Sequence, residues 1–527
     1  MLNVLLISLQ ENLCTFGIRY IFHSVRKAGH NPFLLYPNLK DGIVDDAAYT
    51  VFQEEADRFL KGKSVDIVGI SFMSYQNPIV RKMAKHIKEY HASVVTVGGG
   101  IHVTAYPEDS LEYLDAVCVG EGEISFNKFL DEFSERKDLE RIDVPGIFTQ
   151  ASLRRGDARE LPFLDDLDML EVLPVLDEPA YVFAGGKIRP LSVNMLGKYH
   201  RYNGNSYDIT TSRGCPLNCS YCADNIFQGL YGSKWKKVRV RSVDHVMAEL
   251  RGAVRARPTI SFINFHDDTF LSRPRAWLEE FALKYKAEIK LPLMFRTIPG
   301  SFVTEKLGTL SGLDIISAGI GLQSGSFRVL KEIYSRPIKT EVFADSIAAF
   351  NARKIIPVID VMLNNPYEKK EDILESVRLL ASIKKPYLLE LYGFTFYPGT
   401  EMTVRALHDG IIGESDTVRT QAYVEKNDEK SYLNNVIFVA PHFPKGFIYF
   451  LVRREKTRMV RALFPFVVFA GSFLNLFTFL RMISRAHGHN PIKSGRFLYR
   501  TLDIVISVYH VLPFLRHLTP ARKNSDG

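Results

Sequence analysis

The amino-acid sequence predicts an α/β chain: two successive strand–helix series that each build a parallel sheet, followed by a helical C-terminal region. Three observations carry this expectation. Short apolar runs alternate with helical patterns across residues 1–140 and again across 206–405, as in parallel sheets covered by helices on both faces. Between the two series, residues 141–205 show weak periodicity and carry Pro145, Pro162, Pro174, Pro179 and Pro190, as an interdomain linker would. Residues 406–527 are helical in pattern, basic and apolar. At 527 residues, 46% hydrophobic and 24% charged, the chain can build several cores and is not a disordered protein.

In chain order, residues 2–8 are an apolar run read as a buried first strand. The run lacks the basic start and small-residue cleavage site of a secretion signal. Residues 18–28 have helical spacing and stop at Gly29. Strands are expected over 66–71, 93–97 and 116–119, with a helix over 78–90 whose outer face is basic. Doubly wound sheets of this kind bind ligands at the carboxyl ends of their strands. Two glycine turns stand there: Gly98-Gly99-Gly100 after Val97, and Gly120-Glu121-Gly122-Glu123 after Val119. Glycines let backbone approach a bulky ligand and aim N–H groups at phosphate. Either turn alone is equally a tight strand–helix connection. The second series offers strands over 260–265, 315–320, 357–362 and 388–394.

The chain has five cysteines, and three of them, Cys215, Cys219 and Cys222, lie within eight residues. That clustering does not suggest a disulfide framework and points to metal ligation in a reducing compartment. Thiolates are soft ligands suited to iron–sulfur clusters or zinc. A closed structural zinc site wants four ligands, and Cys14 and Cys118 fall in the other predicted domain. Three thiolates on a four-iron cluster leave one iron open to a substrate's amino and carboxylate groups. Three buried thiols, or zinc completed by a histidine, are the competing readings.

The segment Thr211-Ser212-Arg213-Gly214-Cys215-Pro216-Leu217-Asn218-Cys219-Ser220-Tyr221-Cys222 resembles the cluster loop of the radical S-adenosylmethionine (SAM) superfamily. In that family SAM chelates the open iron, and its cleavage gives a 5′-deoxyadenosyl radical that abstracts a hydrogen atom from substrate. The resemblance spans about 206–405 and implies a partial (β/α)6 TIM-like barrel. It places Tyr221 near the adenine. It places Asp267 and Asp268, in Phe265-His266-Asp267-Asp268-Thr269-Phe270, near the methionine amino group; an ordinary helix N-cap is the plainer reading of that pair. Gln323 and Ser324, in Gly319-Ile320-Gly321-Leu322-Gln323-Ser324-Gly325-Ser326, resemble the fourth-strand turn, with glutamine where glutamate is common. Asp360-Val361-Met362-Leu363-Asn364-Asn365-Pro366 and Tyr397-Pro398-Gly399-Thr400 resemble the fifth- and sixth-strand segments. The N-terminal half is similar to the Rossmann-like cobalamin-binding domain fused to many of these enzymes. There Gly98, Gly99, Gly100, Gly120, Glu121 and Gly122 would border the cobalamin nucleotide tail. The loop Ser8-Leu9-Gln10-Glu11-Asn12-Leu13-Cys14 has no histidine for a lower axial ligand, so cobalamin is expected with its base displaced.

The formal charge of +8 is uneven: residues 440–527 hold 14 Lys and Arg against 3 Asp and Glu. Residues 462–480 form a 19-residue uncharged stretch between Arg461 and Arg481, and 504–515 form a shorter one. Basic plus apolar suggests a membrane surface rather than nucleic acid; helices that close the barrel are the alternative. The cysteine usage implies a cytoplasmic enzyme, and the basic, apolar tail one held peripherally at the inner membrane face. By the resemblance, its cofactors would be a four-iron four-sulfur cluster, SAM and cobalamin, and its external electron donor a flavodoxin or ferredoxin. The expected reaction is methylation of an unactivated carbon in a hydrophobic, lipid-like substrate. Cyclisation, rearrangement and a non-catalytic sensor of cobalamin or SAM are the rival functions.

Overall fold

The computed structural model describes residues 1–39, 42–43, 45–155, 160–172, 179–413 and 428–486. The N-terminal domain is built on strands β1 (Asn3–Ser8), β2 (Asn31–Tyr36), β3 (Ile67–Ser71), β4 (Val95–Gly99) and β5 (Ala116–Cys118), alternating with helices α1 (Phe16–Lys27), α2 (Asp46–Gly62), α3 (Asn77–Tyr90) and α4 (Gly122–Arg136). β1 is apolar from Val4 to Ile7, where it is buried, because helices cover both of its faces. α1 turns Ile18, Phe22 and Val25 inward and ends on Arg26 and Lys27, whose charge suits the helix C-terminus. Asp45 caps α2 by accepting the Ala48 N–H at 2.7 Å.

Residues 141–205, expected as a linker, instead extend this sheet. They supply β6 (Ile147–Thr149), β7 (Ala180–Ala184) and β8 (Lys187–Pro190). The sheet order is β6-β5-β4-β3-β1-β2-β7-β8. β6 and β8 are antiparallel to their neighbours and lie at the edges, where a proline such as Pro190 is tolerated. β2 escapes a sequence reading because Pro32 stands at its start, although its remaining residues are buried.

The second domain is a six-stranded parallel sheet in the order β16-β15-β14-β13-β12-β9, with β9 (Ser206–Ile209), β12 (Phe262–Phe265), β13 (Leu293–Thr297), β14 (Ile315–Gln323), β15 (Ile356–Leu363) and β16 (Leu388–Gly393). This is the expected partial barrel. A short antiparallel pair, β10 (Ser212–Arg213) with β11 (Arg239–Val240), flanks its first strand. Around it run α5 (Ala223–Tyr231), α6 (Val243–Ala256), α7 (Arg275–Glu288), α8 (Phe302–Thr309), α9 (Thr340–Ala352), α10 (Lys370–Ser382) and α11 (Glu401–His408).

Three helices follow: α12 (Asp428–Val439), α13 (Lys445–Arg453) and α14 (Arg458–Ala486). The C-terminal end of α14 closes the barrel at the amino ends of its strands. Met482 and Ile483 pack there with Phe262, Met294, Ile316 and Leu388, and Arg485 pairs with Asp314 at 2.6 Å. At Gly471 a Cβ would lie 2.9 Å from Val439, so the glycine sets how closely α14 approaches α12. The opposite face of α14 exposes Leu463, Phe466, Phe469, Phe473 and Phe477. Within residues 462–480 one face of the helix thus packs inward, as a barrel-closing helix would, while the other is exposed. The stretch 504–515 lies outside the described residues.

Candidate active site

The cysteine loop leaves β9 and passes through β10 into Gly214. That glycine has φ +94, and a Cβ would sit 2.5 Å from the Trp235 carbonyl, so only glycine turns the chain here. Cys215 and Cys219 are buried and Cys222 is half-buried. Ser220 clamps the loop to the barrel. Its N–H donates to the Tyr334 carbonyl at 3.1 Å, its hydroxyl to the Ile333 carbonyl at 2.7 Å, and its carbonyl accepts the Met402 N–H at 2.9 Å. Gln228 of α5 donates to the carbonyls of Cys215 and Leu217. Arg336, almost fully buried, donates to Cys219 Sγ at 3.6 Å.

This donor set fits an iron–sulfur cluster. Burial pushes the Cys215 thiol up to about 12 and raises Cys222 as well, so thiolates persist here only against a strongly cationic partner. Among the described residues, the Cys/His/carboxylate group whose ligand atoms converge within 4.8 Å lies elsewhere. The three thiols are therefore spread more widely than the ligands of one ion.

A cavity of about 430 Å³ lies between the two domains. Gly98, Gly99, Gly100, Gly120 and Gly122 line one side, and Thr210, Arg213, Asp224 and Asp268 line the other. Phe16, Phe227 and Trp235 add an aromatic wall, with Phe227 and Trp235 stacked at 4.5 Å. The glycines serve different ends. A Cβ at Gly99 would meet nothing within 4 Å, whereas one at Gly98 would meet Leu114 at 2.5 Å. Gly120, at φ +81, has the Tyr231 hydroxyl where its Cβ would be. At Gly122 a Cβ would crowd Ile21 at 3.1 Å, so that glycine serves packing as well as the cavity. Among the described residues lining the cavity there is no histidine. A roomy, largely apolar cleft with open glycine backbone fits a bulky cofactor that has no protein histidine beneath it.

The aspartate pair divides. Asp268 opens into the cavity, and the enclosing walls, reinforced by Asp224 and Asp267, hold its carboxyl well above the usual range. Asp267 does not face it. Its oxygens accept from the Thr211 N–H and hydroxyl, the Ser212 hydroxyl and Arg273, all within 2.8 Å. The pairing of Asp267 with SAM is corrected: it is a positioning residue that ties the end of β12 to the cysteine loop. Ser324 is likewise turned inward, donating to Glu368 at 2.9 Å. Gln323 sits at a register shift between β14 and β15, with φ +69. Tyr221 packs edge-on against Tyr334 at 4.9 Å.

Glu121 borders the cavity, but its carboxylate belongs to a clasp between domains. Arg239 pairs with both its oxygens at 2.9 Å, Arg213 with one at 3.0 Å, and the Leu164 N–H donates to it at 3.0 Å. Arg213 also pairs with Glu123 at 2.5 Å. Burial alone would raise Glu121; Arg239 and Arg213 outweigh it and hold the carboxyl below the usual range. Sequence reading missed Arg213, Arg239 and Tyr231, because their partners lie about a hundred residues away in the chain. Inside the barrel, Arg296 reaches Asp360 at 3.1 Å and Glu390 at 2.6 Å, and Glu390 also accepts from the Tyr392 hydroxyl. Burial, opposed by Arg296 and reinforced by Glu390, pushes Asp360 up to about 7.

Comparison with known proteins agrees with this geometry. The family model described as the radical SAM superfamily matches residues 209–380, and the B12 binding domain matches 2–130. An uncharacterized methyltransferase of Pyrococcus horikoshii is 25% identical over 75% of this chain and 79% of its own length. A hopanoid C-3 methylase of Methylococcus capsulatus is 27% identical over 45% of this chain and 39% of its own. The radical SAM methyltransferase TsrM of Kitasatospora setae, solved with cobalamin and a four-iron four-sulfur cluster, superposes with a TM-score of 0.59 at 17% identity, over 77% of this chain and 78% of that one. The two family matches meet across the inter-domain cavity, with the three cysteines in one and both glycine turns in the other. The chain belongs to the radical SAM superfamily, in the branch that carries an N-terminal cobalamin-binding domain, and its cofactors are a four-iron four-sulfur cluster, SAM and cobalamin.

Proposed function

We propose that the protein methylates an unactivated carbon of a hydrophobic, lipid-like substrate. The observation that carries this is one cavity with glycine turns of the cobalamin-binding domain on one wall and Asp268 beside the cysteine loop on the other. Methyl donor and radical source must address the same substrate carbon, and a shared cleft lets them do so. When bound, the cluster and SAM supply hydrogen-atom abstraction and cobalamin supplies the methyl group. The chain's own groups position and exclude. Asp268 offers a carboxyl toward the methionine amino group, Tyr221 an aromatic edge toward the adenine, and the Phe16, Phe227 and Trp235 wall keeps water out. Arg296, Asp360, Glu390 and Tyr392 present polar anchors inside the barrel. The exposed phenylalanines of α14, the basic C-terminal region and the hopanoid relative support an apolar substrate met at a membrane surface. A flavodoxin- or ferredoxin-type protein would deliver the electron.

The test is anaerobic turnover of the reconstituted enzyme with reductant and a lipid extract. Methyl transfer forms 5′-deoxyadenosine and S-adenosylhomocysteine in equal amounts. Deoxyadenosine without S-adenosylhomocysteine would mean cyclisation or rearrangement, and neither product would mean a sensor.

A further inference from the structure

Outside the cofactor cavity, a second set of metal-ligating side chains meets where the two domains join. Cys14, Asp208 and His266 bring their ligand atoms within 4.8 Å of one another. Cys14 stands in the loop after β1, its N–H held by the Asn12 side chain at 2.9 Å. Asp208 lies on β9, with its side chain 2% exposed. His266 follows β12 and stacks, tilted, against Phe16 at 5.6 Å. A fourth donor, His200 Nε2, is 3.3 Å from Asp208.

Protons alone do not close this set of contacts. His266 Nε2 lies 2.5 Å from an Asp208 oxygen and 2.8 Å from the Asn264 amide nitrogen, which is itself 2.8 Å from the same oxygen. If Nε2 carries a proton, it satisfies Asp208 but opposes the Asn264 N–H. If it carries none, it accepts from Asn264 but turns its lone pair on the carboxylate. Turning the amide over would set its oxygen against Asp208. A cation bound by Nε2 and the carboxylate takes the Nε2 lone pair, so that no proton has to be shared between His266 and Asp208 and Asn264 donates to Asp208 alone.

We infer that Cys14, His200, Asp208 and His266 form a zinc site that pins the cobalamin-binding domain to the barrel. One thiolate, two imidazoles and one carboxylate suit zinc, which takes about four such ligands at roughly 2.0–2.3 Å. Cys14, Asp208 and His266 already converge, and His200 would join them by swinging in from its contact with Asp208. Binding displaces the Cys14 thiol proton to solvent, and no electron is transferred. The site stands behind the cavity wall, two residues from Phe16, so it would set how the loop after β1 meets the barrel.

The experiment uses the full chain with Cys215, Cys219 and Cys222 replaced by Ala, purified without chelator and without cobalamin, beside the reconstituted wild type. Elemental analysis should find about one zinc per chain in both, independent of iron. Cys14→Ser and His266→Ala, made separately in the same backgrounds, should each lose it. A zinc-selective chelator should lower the Tm of the parent and leave that of either variant unmoved. Should a variant fail to fold, the parent's zinc content and chelator response still decide. A parent without stoichiometric zinc, or soluble variants that keep it, would overturn the assignment.

Discussion

At the residue scale, adjacent side chains of the same chemistry have separate duties. Asp267→Asn should leave Arg273 uncompensated in a fully buried site, costing about 3–5 kcal/mol and lowering Tm. Asp268→Asn should hold its Tm while losing 5′-deoxyadenosine formation, because the side chain faces the cavity. Melting curves and a SAM-cleavage assay on both variants check this, and a reversed pattern would refute the division. Glu121 gives a pH prediction. Its folded-state value lies below that of a free glutamate, so the clasp stabilises fully above the ordinary glutamate range, begins to fade below it and is lost as pH falls through the lower folded-state value. Glu121→Gln should cost about 3 kcal/mol at neutral pH, and its melting curve should converge with that of the wild type in acid. A gap that persists unchanged at low pH would count against the clasp.

At the element scale, the strand–helix turns are the informative units. Both glycine turns were legible in the sequence, but the job of each glycine was not. Gly99 opens into the cavity with no neighbour within 4 Å of a Cβ, whereas Gly122 would press on Ile21 and Cys118. Gly99→Phe should therefore fold normally and lose cobalamin, whereas a bulky residue at Gly122 should also lower Tm. Cobalamin retained after desalting, measured by its absorbance, checks this; retention by Gly99→Phe equal to that of the wild type would remove the turn from the binding site. Among the strands missed in the sequence, β2 and β8 carry prolines and β6 is three residues long, so these three show no period, and neighbouring strands decide their conformation.

At the scale of the whole molecule, α14 has two roles. Its inner face closes the barrel, and its outer face presents an apolar stripe with Phe466, Phe473 and Phe477 each more than 60% exposed. Among the described residues it is the helix long and apolar enough to cross a membrane, and only 17% of its most apolar window is buried. Each phenylalanine placed in a bilayer would contribute about 1.5–3 kcal/mol, and each nearby Lys or Arg about 1 kcal/mol on an anionic surface. The full chain should float with anionic liposomes at low salt, more weakly at high salt. Changing Phe466, Phe473 and Phe477 to Gln should abolish flotation without lowering Tm. A wild type that stays soluble at low salt would make the stripe ordinary surface.

The sequence by itself determined the elements with a local signature. The cysteine spacing, the glycine turns and the apolar strands follow from neighbours a few residues apart, and so they were readable together with the two-domain α/β plan. Tertiary structure alone decided what each side chain faces. Asp267 and Asp268 are adjacent in sequence, yet one is spent on Arg273 and the other opens to the cavity. Glu121 finds Arg239, and Cys14 finds Asp208 and His266, only after two sheets have packed together. Those pairings are set by long-range packing and desolvation, for which a linear pattern carries no periodic signal.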